Sequence, residues 1–98
     1  MINVKFEGQK LTIKGHAGFS DNGNDIVCAG ASAIAYTLLG YLINCCDITD
    51  IVYTDKSGDF SLVCNGSSTR IDTAFEMAYI GFLQLSHTYP KCVSVEKI

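Results

Sequence analysis

Residues 15–32 of the chain read GHAGFSDNGNDIVCAGAS and join a predicted strand to a predicted helix. His16 ends the strand, and Cys28 falls in the first turn of the helix. Asp25 is placed to cap that helix, because a carboxylate before the first turn accepts hydrogen bonds from its unpaired amides. Those amides and the helix dipole favour an ionised thiol there. The stretch predicts a Cys–His pair across a polar loop; the alternative is a buried cysteine and a surface histidine that never meet.

The strands are predicted from the alternation of apolar and polar residues. Residues 2–15 have the pattern of a hairpin, and residues 48–65 have the pattern of a second hairpin that turns at Gly58. A short strand that includes Cys92 follows Pro90. The chain therefore supplies strands before, between and after its helical segments.

Two helices are predicted where apolar residues recur at three- and four-residue spacing, over 26–44 and from Ser68 or Thr69 to about His87. The order is β-β-α-β-β-α-β. Separate hairpins and helices predict one α+β domain over residues 1–98, with a mostly antiparallel sheet and both helices on one face in two layers. The second helix is apolar nearly all round, which favours a partner chain as its outer cover.

The first helix is also tested as a membrane span. The 21 residues from Ile26 to Cys46 carry no charge, which is long enough to cross a bilayer. Aspartates flank the run, no Lys or Arg lies close to it, and it contains Ser, Thr, Asn and Gly. A core helix is therefore predicted, with no membrane partner.

Composition restricts the partners further. The formal net charge is −3, which argues against general nucleic-acid binding. Charged residues make up 17% of the chain, against about 25% in typical domains, so surplus apolar surface favours a homodimer. The five cysteines lack zinc-like spacing, and the first ten residues lack a signal-peptide pattern. Reduced thiols in the cytoplasm, no metal and four cysteines besides Cys28 that behave as small buried hydrophobes are the expectations.

The blocks GHA at 15–17 and DIVCA at 25–29, followed by Ser32, resemble the signature of the ribosomal-processing cysteine protease (Prp) family. The resemblance covers essentially the whole chain and departs at Gly30, where an alanine is expected. It implies a cytoplasmic, dimeric endopeptidase that needs no cofactor. Its substrate would be the precursor of a large-subunit ribosomal protein, whose short N-terminal extension is cut at an aromatic-rich site before a small residue and a basic tail.

The resemblance also implies site roles. Cys28 is the nucleophile and His16 the general base and acid. From the helix start itself we infer that the first-turn amides around Cys28 could hold the oxyanion. Asp25 supports the site by orienting His16, or is simply a helix cap. Ser32 supports it from one turn after Cys28, or bonds its own helix backbone.

The polar loop supplies the predicted substrate contacts. These are Gly15, Ala17, Asp21 and Gly23, and the acidic loop residues would suit a basic peptide. The alternative is a flexible connector. Two other functions fit the same residues: a non-catalytic dimeric module that binds a peptide or the ribosome, and a redox-sensing thiol protein. A metal site built from Cys28, His16 and an aspartate lacks the usual ligand pairs.

Overall fold

The computed structural model describes residues 1–21, 25–46, 48 and 50–98. In that part of the chain the elements follow the predicted order, β-β-α-β-β-α-β. The strands are β1 (Ile2–Glu7), β2 (Lys10–Lys14), β3 (Ile51–Lys56), β4 (Asp59–Cys64) and β5 (Val93–Lys97), and the helices are α1 (Ile26–Cys45) and α2 (Thr69–Thr88). The predicted α+β class is confirmed.

The strands form one mixed sheet in the order β3-β4-β2-β1-β5. Three neighbouring pairs are antiparallel, and β1 with β5 is parallel. The parallel pair arises because α2 carries the chain from β4 across the helical layer to the far edge. β3 begins at Ile51 rather than at the predicted Ile48, because Ile51 pairs with Cys64, the last residue of β4.

One face of the sheet is buried by both helices, as the alternating strands predict. The strand residues of the core include Ile2, Val4, Phe6, Leu11, Ile13, Phe60 and Leu62; the helix residues include Val27, Ala31, Ala35, Leu38, Leu42, Ile71, Phe75 and Phe82. Apolar burial of this kind stabilises a fold by about 25 cal/mol per Å². Every element that carries a predicted site residue is thereby attached to one core.

Small residues allow α1 and α2 to pack closely. A Cβ on Gly30 would lie 3.3 Å from Leu85 Cδ1, and a Cβ on Gly81 would lie 3.4 Å from Ile34 Cδ1. The glycine at position 30, which departs from the expected alanine, therefore has a packing reason. It lets the first turns of α1 approach the end of α2.

The length and apolar composition of α1 would by themselves suffice for a membrane span, a test that core helices of soluble proteins also pass. Five of its residues are buried in the core, and they recur every three or four positions. The buried face of α1 continues from Leu42 to Cys46, so Cys45 lies on the outer side of the helix and is exposed. The interpretation of Cys45 as a buried hydrophobe is wrong, whereas Cys64 is buried and Cys46 and Cys92 are partly buried.

Candidate active site

The site is built on the start of α1, where Asp25 is the N-cap. Its Oδ1 accepts hydrogen bonds from the amides of Val27 at 2.9 Å and Cys28 at 3.0 Å. Its backbone oxygen accepts from the amide of Ala29 at 3.0 Å. The predicted cap is confirmed. The amides of Val27, Cys28 and Ala29 are thus engaged by Asp25, and an oxyanion role for the first-turn amides stays a prediction.

The second oxygen of the Asp25 carboxylate ties the preceding loop to the helix. Oδ2 accepts from the amides of Phe19 at 3.0 Å and Ser20 at 3.3 Å. The hydrogen bond from the Cys28 amide does most to hold the pKa of Asp25 below its ordinary value; burial opposes it, and the loop amides and Val27 add to it. Asp25 therefore acts as a charged link between the two segments that carry the candidate pair; an orienting role toward His16 stays a prediction.

A second contact holds the same part of the loop from another side. The Phe19 ring packs edge-to-face on Tyr89, with ring centroids 5.3 Å apart. Tyr89 ends α2, and its amide donates to the Leu85 carbonyl at 2.9 Å. The loop after His16 is thus anchored both to α1 and to the end of α2.

The loop reaches the sulfur directly at Ala17. The amide of Ala17 donates to Cys28 Sγ at 3.4 Å, and Cys28 is half-buried. The Ala17 side chain is itself buried in the core. The residue that follows His16 is therefore fixed against the thiol, with its amide as the group that faces sulfur.

His16 lies on the turn between β3 and β4. Its Nε2 is 2.8 Å from the position that a Cβ on Gly58 would occupy, and the Gly15 amide donates to the Gly58 carbonyl at 2.9 Å. Gly15 has a φ of +95°, and a Cβ there would collide with the Met1 carbonyl oxygen. Two glycines thus bring the imidazole to this turn, because neither position accepts a side chain.

A cavity of about 410 Å³ lies between α1 and the β3–β4 hairpin. Five predicted site residues line it together: Gly15, His16, Asp25, Cys28 and Ser32. A thiol, an imidazole and a space for substrate in one cavity are what nucleophilic attack on a carbonyl requires. In the described part of the chain, no group of three His, Cys, Asp or Glu side chains is placed to hold a metal ion.

The other predicted substrate contacts lie elsewhere. Ala17 packs behind the sulfur, and Asp21 is exposed on the loop away from the cavity lining. Gly23 lies outside the described residues. Within the described chain, the Ser32 hydroxyl makes no hydrogen bond to the helix backbone, unlike Thr37, which bonds the Ala33 carbonyl at 2.7 Å.

Sequence reasoning missed the far wall of the cavity. Tyr36, Asp55, Lys56 and Ser57 line it, and the Tyr36 hydroxyl donates to Asp55 Oδ1 at 3.3 Å. Asp55, Lys56 and Ser57 reach the site because β2 pairs with β4, with Lys14 opposite Asp59. Tyr36 comes from α1. The hairpin turn at Gly58 was predicted, but its partner strand was not, so no local signal placed it beside His16.

Comparisons with known proteins identify the family of this chain. A sequence profile of the family described as cysteine protease Prp matches residues 1–94. The ribosomal processing cysteine protease Prp of Mycoplasma pneumoniae is 30% identical over 98 residues, which cover 98% of this chain and 94% of the relative. The protein of the same name from Staphylococcus aureus is 38% identical over 64 residues, which cover 62% of this chain and 60% of the relative.

Solved structures share the fold. A crystal structure of Prp from S. aureus with a covalently linked product peptide superposes with a TM-score of 0.91 at 23% identity, and both chains are covered completely. The same protease with a substrate peptide gives a TM-score of 0.77 at 24% identity, again with complete coverage.

Proposed function

The chain belongs to the Prp family of ribosomal-processing cysteine proteases, and we propose that Cys28 is its nucleophile and His16 its general base and acid. One observation carries the proposal: both side chains line one cavity, and the residue after His16 contacts the Cys28 sulfur. A thiol becomes a strong nucleophile when a neighbouring base removes its proton.

The reaction follows from these positions. His16 takes the thiol proton of Cys28, and the thiolate attacks the scissile carbonyl carbon to form a C–S bond. The protonated imidazole then gives its proton to the leaving amine as the C–N bond breaks, which leaves a thioester. His16 next removes a proton from water, and the hydroxide attacks the thioester. The C–S bond breaks to release the acid, and the imidazolium returns its proton to the Cys28 sulfur.

The proposed substrate is the N-terminal extension of a large-subunit ribosomal protein precursor. The names of the M. pneumoniae and S. aureus relatives support a ribosomal substrate, and the two S. aureus structures hold peptides. The cavity lining is mixed, with polar residues such as Asp55 and Ser57 beside an aromatic wall. Phe60 and Ala35 are buried in its wall, and Tyr36 packs edge-to-face on Phe60 with ring centroids 6.3 Å apart. Such a wall suits the aromatic side chains of the expected cleavage site.

The test is to incubate the protein with ribosomal precursor tails and to read the products by mass spectrometry. Wild type is expected to make one cut, and Cys28→Ala and His16→Ala are expected to abolish it while the fold persists. Cleavage by the Cys28→Ala variant would refute the nucleophile. Tight binding of a tail without any cut by wild type would favour the non-catalytic binding module instead.

The proposal includes a cytoplasmic homodimer. Its support is the outer face of the helices, where Met77, Ile80 and Tyr41 are 68%, 50% and 38% exposed. A groove of about 480 Å³ between α1 and α2, lined mostly by apolar side chains, lies on the same face. Exposed apolar surface of this kind favours association. Light scattering after gel filtration tests the dimer: wild type should have twice the chain mass and Met77→Glu the mass of one chain, whereas a monomeric wild type would refute it.

A further inference from the structure

We propose that the backbone amide of Ala17 is a catalytic group, which donates a hydrogen bond to the oxyanion that forms when Cys28 attacks a peptide carbonyl. The inference rests on the proposed function, because it requires that Cys28 be the nucleophile. It assigns the oxyanion donor to the loop that follows His16 rather than to the first turn of α1.

The first step is that the first-turn amides of α1 are not free to donate to an oxyanion. An oxyanion site needs N–H groups that are free to point at the developing charge. The amides of Val27 and Cys28 already donate to Asp25 Oδ1, at 2.9 and 3.0 Å. The amide of Ala29 donates to the Asp25 backbone oxygen at 3.0 Å. These three helix amides are therefore engaged before a substrate arrives.

The second step is the position of the Ala17 amide. Its nitrogen lies 3.4 Å from Cys28 Sγ, and the N–H points at the sulfur. In the tetrahedral intermediate the negative oxygen sits on the carbon that is bonded to this sulfur. A donor next to the sulfur can therefore reach this oxygen, at a nitrogen-to-oxygen distance of about 2.7–3.1 Å as in other oxyanion sites. Sulfur is a weak hydrogen-bond acceptor, so exchange of this bond for one to a negatively charged oxygen is favourable.

The third step is that the amide is held in place. The Ala17 side chain is buried, with 4% of its surface exposed. The next residue, Gly18, has a φ of +70°, which turns the chain so that the Phe19 and Ser20 amides meet Asp25 Oδ2. A donor fixed before the reaction stabilises charge without reorganisation, which is the main source of oxyanion stabilisation.

The experiment compares Ala17→Pro, which lacks the amide hydrogen, with Ala17→Gly, which keeps it. Two readouts are used: cleavage of a precursor peptide, which passes through an oxyanion, and alkylation of Cys28 by iodoacetamide, which does not. For Ala17→Pro, kcat is expected to fall about 100- to 1000-fold with KM within about threefold. Alkylation should fall at least tenfold less than cleavage. Ala17→Gly keeps the amide but loses the buried methyl group that holds it, so any loss in that variant should be of the same size in both reactions.

Equal losses of cleavage and alkylation in Ala17→Pro would overturn the proposal, because a merely structural role harms both reactions alike. If that variant does not fold, the crystal structure of the wild type with a peptide aldehyde on Cys28 decides. A hemithioacetal oxygen within hydrogen-bond distance of the Ala17 nitrogen supports the proposal, and an oxygen turned away from it refutes it. Wild type that neither cuts the peptide nor forms the adduct would refute the proposed protease function itself.

Discussion

The imidazole of His16 lies where the side chain of residue 58 would stand if that residue were not glycine. His16 Nε2 is 2.8 Å from the Cβ position of Gly58, and the two residues are brought together only by the pairing of β2 with β4. Gly58 also has a φ of +68°, so a larger residue there would strain the turn as well as displace the imidazole. Because Gly58 has no side chain, the hairpin turn leaves room for the imidazole of His16, the candidate base.

Gly58→Ala is therefore expected to lower kcat/KM for peptide cleavage by at least tenfold, because the added methyl group pushes His16 away from the cavity. The matched control is Gly8→Ala, since Gly8 has a φ of +57° and its Cβ would meet nothing within 4 Å. Both variants should lose about 1 kcal/mol of unfolding free energy from the left-handed backbone. Steady-state kinetics and urea denaturation measure the two effects, and equal activity of the two variants would contradict the prediction.

Asp25→Asn is expected to separate the loop from the helix. The asparagine side chain still caps α1 through its oxygen. In the wild type, Asp25 Oδ2 accepts hydrogen bonds from the amides of Phe19 and Ser20, and in the variant an NH₂ group takes the place of that oxygen. The NH₂ group cannot accept hydrogen bonds from these two amides, so the loop is no longer held to the start of α1. We expect kcat/KM to fall about tenfold, whereas Asp21→Asn, which changes the same charge on the same loop, should keep its activity.

The same residue predicts a pH dependence of stability. Backbone amides lower the pKa of Asp25 in the folded chain from its ordinary value of 3.8. Its carboxylate therefore contributes its full stability above pH 3.8, and the contribution is lost as the pH falls through the folded pKa. As the pH falls below 3.8, the wild type should lose stability more steeply than Asp25→Asn in thermal denaturation. If the melting temperatures of the two proteins fall equally with pH, the contribution of the Asp25 carboxylate to this pH dependence is refuted.

Tyr36→Ala is expected to weaken substrate binding rather than chemistry. Tyr36 forms a wall of the cavity, donates its hydroxyl to Asp55 and packs on Phe60. The hydrogen bond to Asp55, then its negative charge and burial, raise the pKa of the Tyr36 hydroxyl, which keeps it a donor. We predict that KM rises about fivefold to tenfold with kcat within about threefold, and that Tyr36→Phe has a smaller effect.

The control for this wall is Tyr53→Ala. Tyr53 lies on β3 and is 50% exposed, close to the 49% of Tyr36, but it does not line the cavity. Its removal should leave both kinetic constants near those of wild type. A rise in KM of the same size in both variants would mean that the loss reflects general damage to this edge of the sheet.

Gly30→Ala tests the close packing of the helices. Alanine is favoured over glycine in a helix by about 1 kcal/mol, but its Cβ would lie 3.3 Å from Leu85 Cδ1. Gly40 lies in the same helix, and its Cβ would meet nothing within 4 Å. We expect Gly40→Ala to raise the melting temperature by about 4–8 °C, and Gly30→Ala to raise it less or to lower it. Equal gains would show that Leu85 moves aside without cost.

The candidate pair was predictable because its signals are local. His16 and Cys28 lie on either side of one loop, and Asp25 stands directly before the helix whose amides it caps. Residues this close in sequence are constrained by turn and capping chemistry alone. The resemblance to the Prp family added their roles, and it drew on the same short blocks.

The rest of the site was not predictable from local patterns. Alternation predicted a strand over residues 59–65 and a turn at Gly58, but it does not state which strand lies beside which. The pairing of β2 with β4 joins residues more than forty positions apart, and it alone places the hairpin turn against His16. The engagement of the α1 amides by Asp25 likewise depends on side-chain geometry, which a helix-start pattern leaves open.

The amino-acid sequence by itself determined the elements, the buried stripes, the cap and the Cys–His spacing, because these depend on the periodicity and chemistry of neighbouring residues. Only the tertiary structure decided which backbone amide faces the sulfur, which glycines leave room for the imidazole and which aromatic residue lines the cavity. Those relationships join distant segments, and they arise from how the sheet pairs and how both helices bury their apolar faces against it.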